Sequence, residues 1–322
     1  MQTSYQFIAF YRKRVGTLDQ KINSTQQRQG NGSKRDRDTK ESGIVEYRKT
    51  LHRFRQFLND EERFFSQLLV RLHKQFELYE AEAALLALDL LAAEQDEAVG
   101  GPRGRAVLPE QHETDPPTPE QRDAKLATFG KILVYLGDIA RYREHYNDSD
   151  GRPRAGTDEP MPRKVLRGKR IPKSAAPRAR NYQRAQMAYE QARLLAPDDG
   201  NASHQLAILA SYNKDNFATL YHYYRALCVR TPYDPASDNL NNVLRKAVEQ
   251  YRTEDRAEKN EAARRSHTAR VERFKNWVVV LHGLWFLDAD ECAFTHNHLL
   301  ITYIVCLFAF AKECCKGLEI CQ

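Results

Sequence analysis

Ala185, Tyr189, Ala192 and Pro197 follow one another at steps of four, three and five. This spacing restricts the fold more than any other feature of the chain. Helical positions three and four apart share a face. Small residues there let a second helix approach closely, the aromatic ring fills the groove, and the proline ends the helix. One period later Leu206-Ala207 occupies a Leu-small position on a first helix. Tyr223 and Ala226 take the second-helix positions, and Pro232 follows one residue late. These are marks of the tetratricopeptide repeat, a helical hairpin of roughly 34 residues. The unit carrying Ala185 has no first helix directly before it. Leu136-Gly137 supplies the missing pair, so the first repeat reads as split by an insertion of roughly 35 residues.

The rest of the chain is also patterned for helices. Residues 1–15 read as helical, whereas 20–43, "QKINSTQQRQGNGSKRDRDTKESG", are polar, lack apolar periodicity and read as a disordered linker. From Ile44, Tyr47, Leu51, Phe54, Phe57 and Leu58 recur at three- and four-residue steps. Asn59-Asp60 is expected to break that helix. A second one follows with Phe64, Phe65, Leu68, Leu69 and Leu72, and "YEAEAALLALDLLAAEQDEA" is a candidate continuation. The Pro/Gly-rich stretch 98–122 reads as a loop, and helical patterning resumes near Ala124 and runs to about Tyr146. Residues 147–180 carry ten Lys/Arg against four Asp/Glu and have no means of forming a core. Helices return from Asn181 to about Glu272, and strand-like alternation is confined to "WVVVLHGLWFL". The expected class is all-α. Its divisions are a helical region 1–146 with linkers at about 20–43 and 98–122, a basic disordered insertion 147–180, repeats over 181–250 and a helical C-terminal region 251–322.

Several function classes find no support. Five of the six cysteines fall in the last 31 residues and Cys228 stands alone, which is no disulfide framework and fits a reducing compartment. The N-terminus has no charged leader or cleavage site, and the apolar run Leu299 to Ala311 is too short to span a bilayer, so no membrane role is expected. No nucleophile elbow, phosphate-binding glycine loop or spaced carboxylate set is present, so catalytic residues and cofactors are expected to be none. His282, Asp288, Asp290, Cys292, His296 and His298 gather near the C-terminus without metal-ligand spacing, so no metal is expected. A net charge of +7 leaves room for an anionic partner.

The segments "YLGDIARYRE", "YEQARLLAPDDGNASHQLAILASYNKDNFATLYHYYRAL" and "TPYDPASDNL" resemble the telomerase-activating Est and nonsense-mediated-decay Smg proteins. The likeness covers roughly residues 44–250. It implies a 14-3-3-like helical domain with tetratricopeptide-type repeats, followed by further helical hairpins. It also implies binding either to phosphorylated decay factors or to telomerase RNA and telomeric single-stranded DNA. Several members carry a C-terminal nuclease-like domain; this chain ends too early for one and reads as a truncated, fungal-type member. The Cys-rich tail departs from the family's composition.

In 14-3-3 proteins a Gly-Asp-x-x-Arg-Tyr helix helps form the phosphate pocket, and Gly137 to Tyr142 has that pattern. Two basic residues seven apart on an earlier helix complete such a pocket, and Arg48 and Arg55 have this spacing, with Lys49 as the alternative to Arg48. Arg48, Arg55, Arg141 and Tyr142 are therefore the expected phosphopeptide-binding set. Guanidinium groups suit a phosphoserine, which brings close to two charges and three acceptor oxygens. The plain alternative is that these arginines form internal salt bridges in a structural repeat scaffold. Asp138 is expected to orient Arg141, and Arg143 to pair with Asp138 or Glu144.

The insertion supplies Arg163, Lys164, Arg167, Lys169 and Arg170 as nucleic-acid candidates, with no aromatic residue among them for base stacking. Its "PRKVLRGKR" is a candidate import patch, consistent with a nuclear and cytoplasmic location. The expected partners are a phosphorylated decay-factor-type protein, RNA or single-stranded DNA, and a family paralogue as heterodimer.

Overall fold

The structure, a computed structural model, describes residues 1–27, 34–91, 117–147, 180–254 and 267–288. Among them the protein is all-α, with no strand and one isolated backbone bridge between Asp199 and Thr231. The chain forms two compact units, Met1–Leu195 and Ala196–Gln322.

The first unit holds α1 (Gln2–Gln27), α2 (Lys34–Phe76), a 3-10 turn at Tyr79–Ala81, α3 (Glu82–Ala87), α4 (Pro119–His145) and α5 (Gln183–Leu195). Helix α1 runs through the first part of the expected linker because Val15, Leu18 and Ile22 continue an apolar stripe. The stripe is buried against Tyr47 and Leu51 of α2. Helix α2 in turn begins at Lys34, so of the expected linker only residues 28–33 lie outside the described residues. Nor do Asn59-Asp60 interrupt α2. Leu58, Phe65, Leu69 and Leu72 stay buried on one stripe while Asn59 and Asp60 face solvent. Their poor propensity, at most about 0.7 kcal/mol per residue, is small beside that burial. Helix α2 stops instead at Phe76. Glu77 takes a positive φ of 49°, and the Ala/Leu-rich stretch folds separately as the 3-10 turn and α3.

Helix α4 starts at Pro119, earlier than the patterning suggests. Thr118 is its N-cap, accepting from the Gln121 N–H while the Gln121 side chain accepts from the Thr118 N–H. Of the expected loop 98–122, residues 98–116 lie outside the described residues. From Ile132 to Ile139 every residue of α4 is buried. It packs against α2 on one side and α5 on another. The α4–α5 contact is a close one: a Cβ on Gly137 would come within 2.4 Å of the Tyr189 ring. Ala185, Tyr189, Ala192 and Leu136 are buried along this seam, whereas Pro197 is exposed beyond α5. The hairpin is thus built from segments on either side of residues 148–179, which lie outside the described residues.

The second unit, taken by itself, packs α6 (Gly200–Tyr212) on α7 (Asn216–Leu227), α7 on α8 (Pro235–Glu254), and α8 on α9 (His267–Asp288). Ala207, Tyr223 and Ala226 lie in its core with Leu240, Leu244 and Val279, and Leu206 is buried beside them in α6. Asp199 and Asp215 cap α6 and α7 by accepting from Asn201 N–H and Ala218 N–H. Gly200 allows the closest backbone approach: a Cβ there would lie 2.2 Å from the Ala226 carbonyl oxygen. The strand-like "WVVVLHGLWFL" is helical in α9, where Val279, Val280 and Leu281 are buried and Trp277 and Trp285 are partly exposed. Short apolar runs do not distinguish a buried helix from a strand. Among the described residues no helix is long and apolar enough to cross a membrane.

The glycines give a direct test of these contacts. Gly137→Ala should cost about 1–3 kcal/mol through overpacking. Gly200→Ala should cost at least as much, because it meets backbone that moves only with its helix. Gly16→Ala, with nothing within 4 Å, should be neutral or stabilise α1 by about 0.5–1 kcal/mol. Urea unfolding of the three variants measures all three effects.

Candidate phosphate site

Asp138 sits in the fully buried stretch of α4. A carboxylate there must recover in hydrogen bonds what it loses in hydration. Its Oδ1 accepts from the Arg141 guanidinium at 2.7 Å and the Tyr189 hydroxyl at 2.8 Å, and its Oδ2 accepts from the Tyr5 hydroxyl at 2.9 Å. The Tyr189 hydroxyl also accepts from Arg141 Nε at 3.1 Å. One carboxylate thereby joins α1, α4 and α5. Burial opposes the charge on Arg141, but Tyr189 and Asp138 beside it favour the cation and prevail, so its pKa is raised. Burial, then Asp138, raises Tyr5 and Tyr189, so both hydroxyls keep their protons and remain donors.

The fixed Arg141 lies over the Tyr142 ring, 4.6 Å from its centroid. From α1, Arg12 stacks on the same ring at 5.0 Å and donates to the Tyr142 hydroxyl at 3.1 Å. From α2, Arg55 donates through Nε at 2.8 Å to the carbonyl of Tyr146, the C-cap of α4, and through a second nitrogen to the same oxygen. Phe54 packs edge-on against the Tyr146 ring. Arg55, Arg141 and Tyr142 are therefore gathered around the C-terminal end of α4. Arg48 lies exposed two turns from Arg55 on α2. Lys49 is exposed next to it.

Other polar contacts surround this end of the helix. Arg143 pairs with Glu62 of α2, which also meets Arg184 at 3.2 Å. The expected pairing of Arg143 with Asp138 or Glu144 is thus corrected. Asp138 points inward and its oxygens are taken, and Glu144 accepts from the backbone N–H of Asn181 at 2.8 Å. Tyr135, stacked edge-on between Tyr5 and Phe65, donates to Glu61 at 2.7 Å. Arg180 approaches Nδ1 of His145 at 3.4 Å. Partial burial first, then the guanidiniums of Arg180, Arg12 and Arg141, push the His145 imidazole down to about 4.

Tyr5, Arg12, His145 and Arg180 are contacts the sequence reading did not name. No local periodicity ties residues 5 and 12 to residues 138 and 142. The nucleic-acid candidates Arg163, Lys164, Arg167, Lys169 and Arg170 lie outside the described residues, as do Asp290, Cys292, His296 and His298. His282, on α9 of the second unit, meets the Tyr224 hydroxyl at 3.1 Å. No group of His, Cys, Asp and Glu that could hold a metal occurs among the described residues.

With this geometry in place, comparison with known proteins is decisive about kinship. The family model described as telomerase activating protein Est1 matches residues 1–147, and that described as Est1 DNA/RNA binding domain matches residues 185–302. The chain belongs to the Est/Smg family. The second matched segment takes in α5, which packs with α4 in the first unit. Over 115 residues the chain is 37% identical to the nonsense-mediated mRNA decay factor SMG7 of Arabidopsis thaliana, covering 36% of this chain and 8% of that protein. It is 32% identical over 117 residues to the SMG7 of Danio rerio, covering 36% and 7%. It is 27% identical over 122 residues to the telomerase-binding protein EST1A of Danio rerio, covering 38% and 6%. The matched segment thus spans less than a tenth of each of these Est/Smg relatives. A solved structure of the C. elegans SMG5-SMG7 complex aligns at a TM-score of 0.34 and 15% identity, over 84% of this chain and 59% of that one.

Removing the carboxylate tests the network. Asp138→Ala leaves Arg141 buried without its counter-ion and strips Tyr5 and Tyr189 of an acceptor. It should cost about 3–5 kcal/mol, read as a loss of unfolding free energy in urea followed by circular dichroism.

Proposed function

We propose that this Est/Smg family member is a non-enzymatic adaptor of nonsense-mediated mRNA decay that docks a phosphorylated segment of a decay-factor-type partner. The observation that carries the reading is the end of α4. There Arg141 is held rigid by Asp138 and Tyr189, Tyr142 lies beneath it, and Arg12 and Arg55 arrive from two other helices. A dianionic phosphate gains most where guanidiniums are already fixed, because little side-chain entropy is then lost on binding. Exposed Arg48 extends the cationic surface along α2. The likeness to proteins named decay factors favours this role. A family paralogue as heterodimer partner, and residence in both nucleus and cytoplasm, belong to the same proposal.

Anisotropy titrations with a phosphoserine peptide library and its dephosphorylated copy test the reading. The phosphorylated peptides should bind at least about tenfold more tightly. Arg12→Ala should weaken them several-fold while costing the fold no more than about 1 kcal/mol. Equal affinity for the two libraries would sink the proposal and leave a structural scaffold.

A second reading, a telomerase-associated subunit binding RNA or single-stranded DNA, is favoured by the match of residues 185–302 to a model described as a DNA/RNA binding domain. The ten Lys/Arg of residues 147–180 add positive charge. Binding of an oligonucleotide should then weaken with salt, by about 0.7 in log K per log salt for each single-strand phosphate contacted. Deleting residues 148–179 should lower that slope. No binding at low salt removes this reading.

A further inference from the structure

Beyond the Arg141–Tyr142 floor, the last turn of α4 meets the chain where it returns into α5. The Asn181 N–H bonds Glu144 at 2.8 Å, and this fixes the backbone next to Arg180. Arg180 is thereby set against His145, its guanidinium 3.4 Å from Nδ1. Arg12, held on Tyr142, is the next cation across the same turn. Among the described residues no ion pair joins Arg12 or Arg180 to a carboxylate. Of the nearby acids, Asp138 is occupied by Arg141, Tyr189 and Tyr5, and Glu144 accepts from Asn181.

Arg180 is bonded to the His145 imidazole and Arg12 to the Tyr142 hydroxyl, both neutral partners, so no carboxylate offsets either charge. The carbonyls at a helix C-terminus attract cations, but the Tyr146 carbonyl is already met by Arg55, and Arg180 faces the imidazole instead. We infer that Arg180 and His145, beside Arg12, form a second anion subsite that takes a further phosphate or carboxylate carried by the same phosphopeptide. This inference rests on the phosphopeptide reading for the identity of the ligand, though not for the existence of the subsite.

The subsite has a protonation signature. Arg180, from the segment before α5, contacts His145; Arg12 of α1 and Arg141 of α4 also act on its charge, Glu144 precedes it in α4 and accepts from Asn181, and Arg55 of α2 meets the adjoining Tyr146. Without an anion, partial burial first and then the guanidiniums of Arg180, Arg12 and Arg141 keep the imidazole neutral down to about pH 4. The folded state then holds fewer protons than the unfolded chain between pH 6.5 and 4, so the His145 contribution to stability falls as pH drops through that window. An anion in the subsite reverses the local field and raises the imidazole pKa. Anion binding therefore takes up a proton, and it strengthens as pH falls through the raised bound-state value and levels off below about 4.

Two measurements on the full chain test the inference. In the first, inorganic sulfate is titrated while the His145 ring resonances, assigned with His145→Gln, are followed against pH. The apparent pKa should rise by roughly one pH unit, and Arg180→Ala should abolish the rise. No rise, or an equal rise in Arg180→Ala, overturns the subsite. In the second, a singly phosphorylated peptide is compared with copies bearing a nearby second phosphoserine or a glutamate. The added anion should improve affinity about fivefold, more for phosphate than for carboxylate, and Arg180→Ala should erase the gain. A gain that persists in Arg180→Ala, or no gain at all, overturns it. If sulfate moves His145 but no phosphopeptide binds, the phosphopeptide reading fails and the anion subsite stands.

Discussion

A single buried carboxylate, that of Asp138, holds the arrangement of the first unit together. Once this part of α4 is enclosed on all sides, an acid in it is tolerable only if donors reach it. They come from Tyr5 on α1, Tyr189 on α5 and Arg141 one turn along. Each donor fixes something else. Tyr5 stacks on Tyr135, Tyr189 closes over Gly137, and Arg141 covers Tyr142, on which Arg12 rests. The polar end of α4 is thus a consequence of how its interior is satisfied. Arg141 is turned inward, and Arg12, Arg55 and Arg180 supply the cationic surface around it.

The second unit is held differently. Its core is an apolar cluster, with Ala207, Tyr223, Ala226, Leu240 and Leu244 packed together. Its tightest point is backbone against backbone, with Gly200 beside the Ala226 carbonyl and the Thr231 carbonyl accepting from the Gly200 N–H at 3.0 Å. The buried polar side chains Ser203, His204, Gln205 and Thr219 lie within α6 and α7, and Asp199 and Asp215 cap those helices. A unit of this kind tolerates changes of surface charge well and changes of volume poorly, whereas the first unit is sensitive to both.

The all-α class was legible because apolar residues at three- and four-residue steps leave few other ways to bury a face. Small residues such as Gly137, Ala185 and Ala192 left a similar trace, since close helix contact excludes larger ones. Where local rules and the stripe conflicted, the stripe won. Asn59-Asp60 did not end α2, Ile22 carried α1 through a polar stretch, and "WVVVLHGLWFL" formed helix. The candidate site was legible only within α4 and α2. The links of Tyr5, Arg12 and Arg180 to it, and the pairing of Arg143 with Glu62, join residues far apart in sequence and leave no periodic mark.

The α4–α5 hairpin also shows where this chain is free to vary. Its two helices meet at the contact of Gly137 with Tyr189, although residues 148–179 intervene in sequence. Closing a longer connection costs entropy only logarithmically, about 0.6 kcal/mol for each doubling of length, whereas one methyl group at the seam collides with a ring. Sequence drift should therefore fall unevenly on the two. The connection can lengthen, shorten or change composition between relatives while the hairpin keeps its form, which makes it a natural place for a lineage to acquire new binding or regulatory sequence without refolding the domain.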